Sequence, residues 1–183
     1  MTSFEPAAKK INVDALLQMA LDRSTAGRSE LARSVADICL KDDSGLNERE
    51  VQLIFDILYR LIHGVEMRVR RDLAQRLASR EDVPRDLIVT LANDQIDVAY
   101  PVLVGSTLLQ DEDLIAITQD KAVSHHIAIT LREYVSIAVS DALIDTDNVE
   151  VIDSLVRNPA AELSEPTMAR LVEMSRDKPP LRR

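Results

Sequence analysis

Apolar side chains recur along this chain at three- and four-residue intervals, in stretches of roughly 10–16 residues joined by a few polar ones. Asn12 precedes Val13, Leu16, Leu17, Ala20 and Leu21, the set that lines one face of a helix. Ser29 precedes Leu31, Ala32, Val35, Ile38 and Cys39 in the same manner. Asn47 and Glu50 have capping-box spacing ahead of Val51, Leu53, Ile54, Ile57, Leu58 and Leu61. After Gly64, residues 65–78 place Val69, Leu73 and Leu77 inward. Asp82 and Pro84 open the next helix, with Leu87, Ile88, Leu91 and Ala92 as its inward set. Ser124 starts a helical stretch over 127–143, Asp147 and Glu150 again have capping-box spacing, and Ser164 with Pro166 starts the last helix. Gly27, Gly45, Gly64 and Gly105 fall between or at the ends of these stretches, where helix termini favour glycine. No Val/Ile/Tyr run alternates with period two, so the expected fold class is all-α.

Segments this short and evenly joined imply a repeat. Val69 with Arg70, Val98 with Ala99, and Ile127 with Ala128 recur every 29 residues, each near the start of a first helix. Asp86, Leu87 and Ile88 recur 27 residues later as Asp113, Leu114 and Ile115, in second helices. A helix pair of roughly 28 residues cannot bury its apolar face alone, so its neighbours must stack on it. The expected architecture is a short α-solenoid of HEAT-like helix pairs over 63–177. An N-terminal helical capping bundle covers 12–62, with tails at 1–11 and 178–183. Pro101 lies four positions after Asp97, which predicts a late helix start near Val98 or a kink.

Residues spread along the chain carry a resemblance to a known protein family. The residues that carry the resemblance begin with Leu16 and Leu17, Asp22, Arg23 and Ser24, Gly27 and Arg28, Leu46, and Arg49 with Glu50. They continue with Val69, Arg70, Leu73 and Ala74, then Pro84, Arg85, Asp86 and Leu87, and Leu91, Ala92, Asn93 and Asp94. Pro101, Val102 and Leu103, then Leu109, Asp111, Glu112, Asp113 and Leu114, complete the match over about residues 12 to 177. By these residues the chain resembles the uncharacterised alphaproteobacterial helical-repeat family catalogued as domain of unknown function 2336. The resemblance implies a bacterial, cytoplasmic, helical-repeat protein and carries no catalytic motif or cofactor. Members usually run on past this point, which implies either a short member or a piece of a longer protein.

Composition narrows the function classes. The 183 residues include one cysteine, Cys39, so a disulfide framework and a thiolate zinc site are excluded, and Cys39 is read as a small buried hydrophobe. No run of about 18 apolar residues and no signal-peptide pattern is present, which predicts no membrane span and a cytoplasmic location. The lack of Trp and a 3% aromatic content argue against a stacking platform for single-stranded nucleic acid.

The formal net charge of −9 is unevenly distributed. Residues 1–85 hold 14 acidic and 14 basic side chains, whereas residues 86–155 hold 13 acidic and two basic ones, Lys121 and Arg132. Residues 156–183 hold four acidic and six basic side chains. The middle therefore projects a negative field that repels phosphate and attracts a basic partner. Asp86, Asp94, Asp97, Asp113 and Asp120 are the expected partner-binding residues.

Arg68, Arg71, Arg76 and Arg80 form the alternative, an anion or nucleic-acid site. Glu66 with Arg70 and Asp72 with Arg76 have favourable i, i+4 spacing, so a paired, solvated face is the stronger account. The next repeat is acidic, which disfavours nucleic acid.

Catalytic and metal chemistry find no positive signal. His125 and His126 are adjacent, diverge by about 100° on a helix and so do not easily share an ion, while His63 is placed at a helix end; structural or exposed roles are expected. Asp111, Glu112 and Asp113 read as acids favoured at a helix N-terminus, without calcium-loop spacing, and Asp141, Asp145 and Asp147 are read similarly. Residues 24–29 lack the phosphate-loop pattern and are expected to be a joint. The sequence thus points to a non-enzymatic scaffold or adaptor without cofactor, binding another protein of basic surface. The other alternative is a sensor or enzyme with a small-ligand pocket between cap and repeats.

Overall fold

The computed structural model describes residues 19–22, 24–39 and 46–177. Most of the helix expected after Asn12, the glycine at Gly45 and the tails 1–11 and 178–183 lie outside the described residues. The described secondary structure is helical: α1 (Thr25–Cys39), α2 (Glu48–Ile62), α3 (Met67–Leu77), α4 (Arg85–Ala92), α5 (Ile96–Gly105), α6 (Asp111–Asp120), α7 (Val123–Thr130), α8 (Ile137–Asp145), α9 (Val149–Val156) and α10 (Glu165–Asp177). One isolated parallel bridge joins Val135 and Ala161. The chain divides into two compact units, Met1–Arg76 and Leu77–Arg183.

In the first unit α1 packs on α2. Asn47 caps α2 by the predicted capping box: its side chain accepts the Glu50 amide at 3.0 Å, and the Glu50 carboxylate accepts the Asn47 amide at 2.9 Å. Ala32, Val35 and Ala36 of α1 and Phe55, Leu58 and Ile62 of α2 are buried. The start of α1 differs from expectation. Ser24, not Ser29, offers its hydroxyl to a first-turn amide, that of Gly27 at 3.0 Å. Ser29 lies one turn inside α1, buried, and its hydroxyl accepts the Glu66 amide at 2.9 Å. Residues 24–29 are thus mostly helix and not a joint. Gly27 lies in the first turn of the helix, where a Cβ would overlap the Asp22 carboxylate that accepts the Ser24 amide. Cys39 ends α1, and its side chain lies outside the described residues.

In the second unit the helices pack in alternation. α4 packs on α5, and α6 packs on α7. α5, α7 and α9 follow one another as neighbours in one row, while α6 packs on α8 beside it. The inward set predicted for α4 is the buried one, Leu87, Ile88, Leu91 and Ala92. Val98, Ala99, Val102 and Leu103 fill the corresponding place in α5, and Val151, Ile152 and Leu155 do so in α9.

Three local expectations are corrected. The stretch 127–143 is two helices, α7 and α8, separated by residues 131–136. The break is made by distant partners. The Arg132 guanidinium donates to the Leu103 and Ser106 carbonyls at 2.5 and 2.7 Å, and the Glu162 amide donates to the Val135 carbonyl at 2.9 Å. Ser136 then caps α8, accepting the Val139 amide at 3.3 Å. Second, Asn148 and not Asp147 caps α9, accepting the Glu150 and Val151 amides at 3.0 and 3.3 Å, while Asp147 adopts φ 52°. Third, α5 starts at Ile96, so Pro101 sits inside the helix and leaves the Asp97 carbonyl without its usual i+4 donor.

Candidate functional site

The joints of the second unit gather in two groups, one at each end of α4. Hydrogen bonds across about one helix pair fix which joints meet. At one end, Lys121 donates to the Asn93 carbonyl at 2.9 Å, and His125 Nε2 lies 2.9 Å from the Asp94 carbonyl. A carbonyl can only accept, so Nε2 carries the proton. At the other end, Arg85 donates to Asp113 at 2.7 Å, Ser136 donates to Asp111 at 2.6 Å, and Tyr134 donates to Glu162 at 3.2 Å. Asn158 repeats there what Arg132 does one pair earlier, donating to the Thr130 and Arg132 carbonyls, each at 2.8 Å.

The five predicted aspartates do not share one surface. Asp94, Asp97 and Asp120 belong to the end where Lys121 and His125 bond, and Asp86 and Asp113 belong to the opposite one. Asp86, Asp97 and Asp120 are exposed. Asp94 is half-buried, and its side chain accepts the Gln95 amide at 2.7 Å. Asp113 is occupied: its side chain is 12% exposed, takes Arg85 and also accepts the Gln110 amide at 2.9 Å. Lys121 and Arg132, the two cations of residues 86–155, both donate to main-chain carbonyls.

Three of the four predicted anion-site arginines face carboxylates. Arg68 pairs with Glu66, Arg76 with Asp37 and Asp72 at 2.8 and 3.6 Å, and Arg80 with Asp82 at 2.6 Å. The Arg80 guanidinium holds the Asp82 carboxyl below its ordinary pKa. Arg71 is exposed. Arg70 donates to the Val65 carbonyl at 2.8 Å.

His125 and His126 are both buried. Burial pushes the His126 pKa down, against a smaller opposing effect from the Lys121 and Ile117 main chain, and His126 finds no hydrogen-bond partner at either ring nitrogen. Among the described residues no three His, Cys, Asp or Glu side chains converge as a metal site requires.

The Arg132 end also holds a cavity of about 350 Å³, lined by Val104, Gly105, Ser106, Thr107, Leu109, Asp111, Leu114, Arg132, Glu133, Tyr134 and Ser136. Desolvation lowers the Arg132 pKa, and the Asp111 charge opposes that shift. The Tyr134 phenol is raised by desolvation, by Glu162 and by Asp111. The sequence signal for this site was the isolation of Arg132 among acids; its pairing with carbonyls 26 and 29 residues back was not legible. A second, more open groove of about 530 Å³ includes Asp141 and Asp145, which Thr167 and Arg170 engage at 2.5 Å each.

Short helices packed in alternation place the described part of the chain in the all-helical class. Residues 98–183 match the model of an uncharacterised protein family conserved in bacteria, DUF2336, the family that the sequence resembles. No curated protein and no solved structure matches the chain. No described helix is long and apolar enough to cross a membrane.

Proposed function

We propose that this protein is a non-enzymatic scaffold or adaptor of the bacterial cytoplasm that binds a basic partner protein through the second unit. The observation that carries this reading is the fate of its cations. Thirteen acidic side chains lie in residues 86–155, and the two cations among them are occupied by main-chain carbonyls. The exposed carboxylates of Asp97 and Asp120 are thereby left to steer a partner. The row of α5, α7 and α9, with bonds that repeat at 26 to 29 residues, fits a short α-solenoid of HEAT-like pairs, an architecture that offers an extended binding face. The nucleic-acid alternative is weakened by the carboxylates facing Arg68, Arg76 and Arg80.

The test is affinity capture from source-cell lysate at low and high salt, with wild type beside an Asp97→Lys, Asp120→Lys variant. A stoichiometric protein partner released by salt and lost in the variant is expected. Capture of nucleic acid, of no partner, or of a partner indifferent to both changes would sink the reading.

A further inference from the structure

We propose that the 350 Å³ cavity beside Arg132 is a receptor for a basic side chain, an arginine or lysine carried on a peptide segment of the partner. This inference rests on the scaffold reading and adds to it a second point of charge recognition, at the end opposite Asp97 and Asp120. Leu109 and Leu114 are buried and form an apolar floor, and Tyr134, 58% exposed, supplies an aromatic wall for a cation. Asp111 and Glu133 supply the carboxylates. Asp111 accepts the neutral Ser136 hydroxyl at 2.6 Å, and among the described residues neither it nor the exposed Glu133 makes an ion pair. Arg132 is the cation of the lining; it keeps its charge, but its guanidinium donors are taken by the Leu103 and Ser106 carbonyls, so the two carboxylates outnumber it. The Tyr134 phenol is raised first by desolvation, with the Glu162 and Asp111 charges adding to it. An anion would meet two carboxylates against one cation whose donors are already bonded. A bare metal ion would find too few ligands and far too much space, whereas a basic side chain with the backbone around it fits this volume.

The full chain, labelled with nitrogen-15, would be titrated with acetyl-Gly-Arg-Gly-amide and with the same peptide carrying neutral citrulline. Saturable shifts at the amides of Gly105, Thr107, Glu133 and Tyr134 are expected with the arginine peptide alone. A Glu133→Gln, Tyr134→Ala variant, altered only at exposed positions, should keep its helical circular dichroism and bind at least about tenfold more weakly. Equal shifts with citrulline, shifts scattered over the Asp97 and Asp120 end, or an unchanged affinity in the variant would overturn the assignment. Free arginine binding as well as the peptide would assign the site to a small cation instead and overturn the peptide. Failure of the peptide in a protein that still captures a salt-sensitive partner removes this inference alone. A protein that binds the peptide but captures no partner removes the scaffold reading.

Discussion

Arg132 holds more of the second unit together than any surface ion pair does. Its charged donors satisfy the Leu103 and Ser106 carbonyls at the end of α5, and it is the residue at which the expected long helix breaks. Arg132→Met would leave both carbonyls without these donors, at a cost of about 2–4 kcal/mol; Arg132→Lys, with a single ammonium, would lose roughly half of that. Urea unfolding followed by circular dichroism reads both variants, and equal stability of Arg132→Met and wild type would refute the role. His126 makes the opposite kind of contribution. In the unfolded chain it titrates near its ordinary value of 6.5, and in the folded chain burial lowers that value. The unfolded state therefore takes up the proton first. Stability is intact above pH 6.5 and declines as pH falls through the folded pKa. His126→Leu should remove this part of the pH dependence of the melting temperature. A profile unchanged by the substitution would show that His126 is solvated in the folded state.

At the scale of elements, short helices depend on their ends. α9 spans eight residues, too few to be stable by propensity alone, and Asn148 satisfies two of its first amides. Asn148→Ala should cost about 1 kcal/mol in thermal unfolding, and a loss below a few tenths would move the cap elsewhere. This scale also divides what was legible in the sequence from what was not. The buried faces of α3 and α4, carried by Val69, Leu73 and Leu77 and by Leu87, Ile88, Leu91 and Ala92, follow from local spacing, and so does the Asn47–Glu50 capping box. The 131–136 break is hidden from the sequence, because it depends on groups 26 to 29 residues away, and Ser29 reads as a cap although its hydroxyl serves Glu66 and not its own helix. Choosing between Asp147 and Asn148 needs the φ of 52° that puts Asp147 outside the cap geometry. The candidate site was legible as charge alone: which aspartates meet is set by joints 28 residues apart coming together, and the pocket beside Arg132 exists only after α7 and α8 separate.

For the whole molecule, charge acts on stability and on recognition with opposite signs. Residues 86–155 carry a net charge of −11, and their two cations serve main-chain carbonyls, so the carboxylates there repel one another across the second unit. Raising salt from about 0.05 to 0.5 M shortens the screening length from more than 10 Å to a few ångströms and relieves that repulsion. Amides of the second unit should then exchange with solvent more slowly. Those of residues 46–76 should not gain protection, because residues 1–85 are neutral overall and the Arg76 pairs with Asp37 and Asp72 weaken in salt. Region-resolved hydrogen exchange at the two salt concentrations separates the outcomes, and equal or greater protection gained in 46–76 would show that the acidic field is not a stability term. Over the same range the association with a basic partner should weaken, since its attraction is screened by the same ions. A protein made more stable by salt while its complex is made weaker would have its carboxylates placed for a partner at the expense of its own fold.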